Sequence, residues 1–219
     1  MSAISARTAY RLWAPRYESE TAVSQLENET VAALGVETRG RTLLDVGCGT
    51  ARRLRSSGAA HAVGVDLTLE MLARAGRQPV AAADVRALPF ADGSFDVVWC
   101  RLVIGHVADL GTAYAELGRV CRVGGAVVVT DMSAEAIAAG HRRTFRENDG
   151  TVREVEHFVH SAEAQCAAAG GAGLELCEQR DGVVGESLRA FYVDAGRPAM
   201  YDEQRGLPLV IAFSFSRRP

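Results

Sequence analysis

Between residues 41 and 131, short apolar runs alternate with stretches whose apolar side chains recur every three or four positions, the pattern of a parallel sheet covered by helices. The runs predict strands over 42–46, 62–66, 80–84, 95–100 and 126–131. Helices are expected over 51–57, 69–75 and 111–121, the last with Tyr114, Leu117, Val120 and Cys121 on one face. Upstream, Val23, Leu26, Val31 and Leu34 mark a helix over 18–34, expected to pack across the ligand side of the sheet. After Asp131 the order changes to an extended segment over 152–159, a helix opened by Ser161, and two further strands over 174–179 and 209–214. Segments 132–160 and 182–206 are not needed to build the sheet and are expected to cover a substrate. One domain follows, with 1–40 as a helical cover, 41–131 as the binding core and 132–219 as lid and final strands.

Composition narrows the chemistry. The chain has 219 residues and 48% hydrophobic side chains, enough for one sizeable core. All 24 basic residues are arginine, which excludes Schiff-base chemistry and the lysine of a phosphate-binding P-loop. A formal net charge of −3 without a basic run argues against a nucleic-acid partner. Five cysteines without a CxxC pair, and no signal segment or membrane-length apolar stretch, point to reduced thiols in a cytoplasmic protein with no membrane partner.

The strongest local signal is Asp45-Val46-Gly47-Cys48-Gly49-Thr50-Ala51, a buried strand entering a glycine turn and then a helix. Arg52 stands where a dinucleotide fingerprint needs its third glycine, which disfavours nicotinamide or flavin. Asp66 ends the second strand, where a carboxylate can accept both hydroxyls of a ribose; a helix cap is the plainer role, but Thr68 is available for it. Asp84 ends the third strand similarly, placed to accept from an adenine amino group or to cap a turn.

Together with Gly64-Val65-Asp66, Met71-Leu72-Ala73, Leu88-Pro89-Phe90, Ser94-Phe95-Asp96-Val97-Val98 and Glu116-Leu117-Gly118-Arg119-Val120 before Gly124-Gly125, these residues resemble class I S-adenosylmethionine-dependent methyltransferases of the small-molecule, quinone-biosynthesis-like type. The resemblance runs from about Tyr10 to Asp131 and implies an α/β fold, a doubly wound Rossmann-like sheet with a C-terminal antiparallel strand. It departs from the family at Ala51, in place of a last glycine, and at Val123 and Cys121, in place of proline and leucine. An alanine opening a helix is expected to be sterically mild.

By this resemblance, Gly47, Cys48 and Gly49 line the methionine end of S-adenosyl-L-methionine and Asp45 reaches its amino group. Asp66 holds the ribose, Leu67 and Met71 pack on the adenine, and Asp84 and Val85 meet its edge. Arg101 and Leu102 border the sulfonium, and Tyr10 closes over the cofactor as part of a Tyr10, Trp13, Tyr17 segment in which Trp13 and Tyr17 have core packing as a competing role. His106 is the candidate general base, expected to act with a pKa near the ordinary imidazole value of about 6.5; the bland reading is a pocket wall. His157 and His160 lack a third ligand at metal spacing, so no metal is expected, and His141, Arg142 and Arg143 are weak candidates for a substrate carboxylate.

The fourth strand ends in Val98-Trp99-Cys100-Arg101-Leu102 and lacks the proline turns, paired glutamates or Pro-Cys of macromolecule-modifying relatives. A small-molecule acceptor, either a natural-product intermediate or a quinone-like metabolite, is therefore expected, with a homodimer as an open assembly state. A cofactor-dependent pericyclic reaction and a catalytically silent binding role stay open beside methyl transfer.

Overall fold

The computed structural model describes residues 3–17, 21–147 and 149–219. The strands are β1 (Thr42–Val46), β2 (His61–Asp66), β3 (Val80–Ala82), β4 (Phe95–Arg101), β5 (Cys121–Met132), β6 (Thr144–Arg146), β7 (Val152–Glu154), β8 (Leu174–Val183) and β9 (Pro208–Arg217). The helices are α1 (Ala6–Trp13), α2 (Ala22–Ala33), α3 (Arg52–Arg55), α4 (Leu69–Leu72), α5 (Leu110–Val120), α6 (Ala134–Ala138), α7 (Ala162–Gly171), α8 (Arg189–Asp194) and α9 (Pro198–Gln204).

Seven strands form one sheet in the order β3-β2-β1-β4-β5-β9-β8, and β6 pairs with β7 in a separate hairpin. The first five run parallel, and β9 lies antiparallel between β5 and β8. The α/β, doubly wound sheet with a C-terminal antiparallel strand is thus present. Alternation along the strands divides the core. Leu44, Val46, Val98, Cys100, Val127, Val129, Phe213 and Phe215 face the side covered by α5 and α7, where Tyr114 and Leu117 are fully buried. Leu43, Val97, Trp99, Val128 and Ala212 face Leu34, Leu54 and Ala75 on the other side. Burial on both faces is why these strands read as unbroken apolar runs.

Several expectations shift. β3 stops at Ala82, so Asp84 lies in the following loop. The extended segment expected over 152–159 pairs only as Val152–Glu154, because the residues after it turn away to meet Ile4 and Gly105 through backbone hydrogen bonds. The start of the N-terminal helix expected at residue 18 lies outside the described residues. Its body, α2, packs on β9 and β8 and reaches the ligand side only through Val23 and Ser24 in its first turn, while α1 lines the cavity beside the glycine turn. Segment 182–206 contributes no lining residue to either large cavity, since Leu188, Tyr192 and Tyr201 bury against Leu26 and Leu209 in a core of their own.

Ala51 is also less benign than expected. It sits just before α3 with φ 58° and ψ 25°, the left-handed region that a Cβ disfavours. That conformation costs an alanine about 1–2 kcal/mol, against a smaller entropic penalty for glycine. Ala51→Gly is therefore expected to raise stability by about 0.5–1 kcal/mol in urea denaturation. A loss would show that the buried methyl group contributes more than the strain.

Candidate active site

β1 and β4 are neighbours whose crossovers lead in opposite directions, and the crevice at their carboxyl ends is where open α/β sheets bind ligands. β1 runs into Gly47 and Gly49, with φ of +73° and +57°. A Cβ on Gly47 would collide with Val103, and one on Gly49 would come within 3.1 Å of Met71 Cε. Asp66, at the end of β2, ties this turn down. Its Oδ2 accepts from the Gly49 amide at 2.9 Å and its Oδ1 from the Thr68 amide at 2.8 Å. Burial raises the Asp66 pKa, and the two amides oppose that rise.

A cavity of about 280 Å³ opens above the turn. Tyr10, Gly47, Gly49, Asp66, Leu67, Met71, Asp84, Val85, Arg101, Leu102 and His106 all line it, gathered from α1 and from the ends of four strands. Leu67 is 45% exposed there, an apolar surface available to a flat ligand. Asp84 is already held by Arg86, whose Nε and Nη2 donate at 3.0 and 2.6 Å and lower its pKa. Two expected residues lie elsewhere. Cys48 lines a second cavity, and Asp45 lines neither. Both Asp45 oxygens are buried without a hydrogen-bond partner, and burial pushes the carboxyl up to about 6.

Arg101 borders the cavity, but its guanidinium turns into the core. Its Nε and Nη2 each reach Glu27 at 2.7 Å, Arg53 adds a 3.0 Å contact, and Thr130 donates to Glu27 at 2.8 Å. Burial alone would raise the Glu27 pKa; the two guanidiniums outweigh it and hold it at about 2. Leu102, next in the chain, has φ +60°, and its amide and carbonyl are both held, by Thr130 and by Arg143. A non-glycine residue in that region at a cavity wall is backbone strain kept by its surroundings.

His106 is the residue most changed by seeing its neighbours. Its Nδ1 lies 3.0 Å from the Glu156 carbonyl, which can only accept, so the proton is on Nδ1. Nε2 then accepts from Tyr10 Oη at 3.0 Å and from Arg143 Nη1 at 3.2 Å. Burial, helped by the Arg143 charge, pushes the imidazole down to about 3. The expectation of a base titrating near the ordinary value is therefore corrected: this is a neutral imidazole whose free lone pair is occupied.

Arg143 continues to Asp131 at 3.3 Å, and His157 Nε2 meets the same carboxylate oxygen at 3.2 Å. Gly105 makes that approach feasible, since a Cβ there would collide with His157 and lie 2.6 Å from Asp131 Oδ1. The sequence offered Arg143 only as a weak candidate for a substrate carboxylate, and the importance of Glu27 and Asp131 is not visible there. Glu27 lies on α2, Asp131 on β5 and Arg143 just before β6, and only the polar residue inside an apolar helical stripe at Glu27 was a visible signal. His160 instead donates to the Val107 carbonyl at 2.8 Å.

A stability consequence follows from His106. Its folded-state pKa is near 3 against an ordinary 6.5, so the unfolded chain binds a proton that the native chain refuses. The contribution is complete above the ordinary value and is lost as pH falls through that window. Between pH 7 and pH 5 wild type should lose about 2 kcal/mol more stability than His106→Gln, read by urea denaturation at both pH values. An equal loss in both proteins would mean that the native imidazole accepts the proton.

The strand order, the reversed last strand and the glycine turn tied to an acidic strand end define a class I methyltransferase fold. Residues 44–129 match the methyltransferase domain family, in agreement with the resemblance carried by the motifs. The chain is 35% identical over 153 residues to a malonyl-[acyl-carrier protein] O-methyltransferase of Pseudescherichia vulneris, covering 65% of this chain and 60% of that protein. It is 42% identical over 111 residues to a demethylmenaquinone methyltransferase of a Mycobacterium species, covering 48% and 47%. The chain thus spans about half the length of the curated relatives it matches. An S-adenosylmethionine-dependent methyltransferase from Mesorhizobium loti superimposes with a TM-score of 0.67 at 20% identity, over 90% of this chain and 98% of that one, a likeness of fold. Among the described residues no helix is long and apolar enough to cross a membrane.

Proposed function

We propose that this chain is an S-adenosylmethionine-dependent methyltransferase acting on a small-molecule acceptor. The observation that carries the reading is the Gly47–Gly49 turn held by Asp66 at the floor of a cavity that also reaches His106 and Leu102. The residues fit the cofactor. The two glycines leave open a cradle that a side chain would fill, Asp66 keeps acceptor capacity beyond its two amides, and Leu67 and Met71 supply an apolar face.

Bound there, S-adenosylmethionine supplies an electrophilic methyl group. The chain's own contribution is alignment and exclusion of water by the side chains that line the cavity, Tyr10, Leu102, Val103 and Phe158 among them. His106, with Nδ1 on the Glu156 carbonyl and Nε2 accepting from Tyr10, orients Tyr10 and lines the cavity as a neutral imidazole. Activity should accordingly show no inflection from His106 between pH 5 and pH 8.

Calorimetric titration tests the reading, followed by incubation with methyl-labelled cofactor and metabolite extracts. Saturable binding of S-adenosylmethionine, none of NAD, and label in an extractable small molecule are expected. Absence of saturable cofactor binding would overturn the proposal, and binding without any labelled product would favour a non-methylating use of the same site.

A further inference from the structure

A second cavity of about 250 Å³ shares Tyr10, Tyr17 and Leu102 with the first, so the two are neighbours across one wall. Among the described residues the charged part of its lining is one-sided. Arg52, Arg53, Arg142 and Arg143 line it together with His141, and no carboxylate does so among the described residues. Arg53 and Arg143 are paired outside the cavity, to Glu27 and Asp131, while Arg142 donates Nη1 to the Ile137 and His141 carbonyls and only approaches a carboxylate, Glu154, at 3.8 Å, and Arg52 has no partner among the described residues.

A cavity walled by four guanidiniums suits an oxyanion, which pairs with arginine through charge-assisted hydrogen bonds. Trp13 and Met132 add apolar wall, so the space suits an organic acid rather than a bare inorganic ion.

We propose that this second cavity is the acceptor pocket and that the acceptor carries a carboxylate, seated on the arginines while its reacting atom reaches across Leu102 toward the first cavity. The proposal rests on the methyltransferase reading for the word acceptor; the carboxylate seat itself does not depend on it. It also names a rival source of the same chemistry, the cofactor's own methionine carboxylate. A volume close to that of the first cavity favours a whole second molecule.

The test uses benzoate as the probe and benzyl alcohol as its neutral counterpart, titrated by NMR into the full chain with and without S-adenosylhomocysteine. Benzoate should bind saturably and benzyl alcohol at least about tenfold more weakly. Arg143→Gln is the obvious variant but removes a buried charge and can unfold the protein. The double variant Arg52→Gln with Arg142→Gln changes the two arginines that hold no buried carboxylate, and it should weaken benzoate about tenfold while leaving S-adenosylhomocysteine affinity intact.

Equal binding of benzoate and benzyl alcohol, or no binding of either, would overturn the carboxylate seat. So would a double variant that loses affinity for S-adenosylhomocysteine but not for methylthioadenosine, which lacks the amino acid; the seat would then belong to the cofactor. Failure of S-adenosylhomocysteine to bind wild type would count against the methyltransferase reading alone, because benzoate binding to the free protein still reads the pocket.

Discussion

Asp66→Ala is expected to weaken S-adenosylmethionine binding by at least about tenfold, and by about a hundredfold if both ribose hydrogen bonds are lost. A hydrogen bond to a charged carboxylate contributes about 1.5–3 kcal/mol, and two are at stake. The same oxygens hold the Gly49 and Thr68 amides, so the variant also loosens the turn on which the cofactor would rest. Asp66→Asn separates the two effects, since its carbonyl oxygen still accepts one amide but the charge is gone. Calorimetry on the folded variants reads both; unchanged affinity in Asp66→Ala would place the ribose elsewhere.

Glu27→Gln is expected to destabilise the protein by about 3–5 kcal/mol, the usual consequence of leaving buried charge without its partner. Glu27 is fully buried and accepts from Arg53, Arg101 and Thr130, so the substitution leaves two guanidiniums facing one neutral amide. The pH dependence carries the same sign. With a folded-state pKa near 2 against an ordinary 4.5, the contribution of Glu27 is complete above the ordinary value and is lost as pH falls toward 2. Urea denaturation should show the wild-type advantage over Glu27→Gln shrinking across that acid window. A variant as stable as wild type at neutral pH would mean that water or rearranged neighbours replace the carboxylate.

These two residues also differ in how they could be recognised. Asp66 announced itself, because a carboxylate at the end of an apolar strand and seventeen residues after Gly49 has a local reason to be there. Glu27 looked like one polar position on an amphipathic helix. Its weight comes from Arg53 on α3 and Arg101 at the end of β4, and no spacing along the chain reveals that three elements meet at one carboxylate.

Hydrophobic patterning by itself determined the strands, their burial on both faces and the parallel sheet, because side-chain period and apolar run length are local properties. The sequence also marked the glycine turn, because Gly47 and Gly49 permit the positive φ angles found there, and the acidic strand ends beside it. Only the tertiary structure decided protonation and neighbourhood. His106 became a neutral hydrogen-bond acceptor because Tyr10, Arg143 and Glu156 surround it from three separate segments, and burial then makes its charge costly. Asp45 was withdrawn from the cavity because a strand residue must face one side or the other, and Ala51 took a strained backbone because the turn demands it whatever the side chain. Electrostatic environment is a sum over groups distant in sequence, so it exists only once the chain has folded.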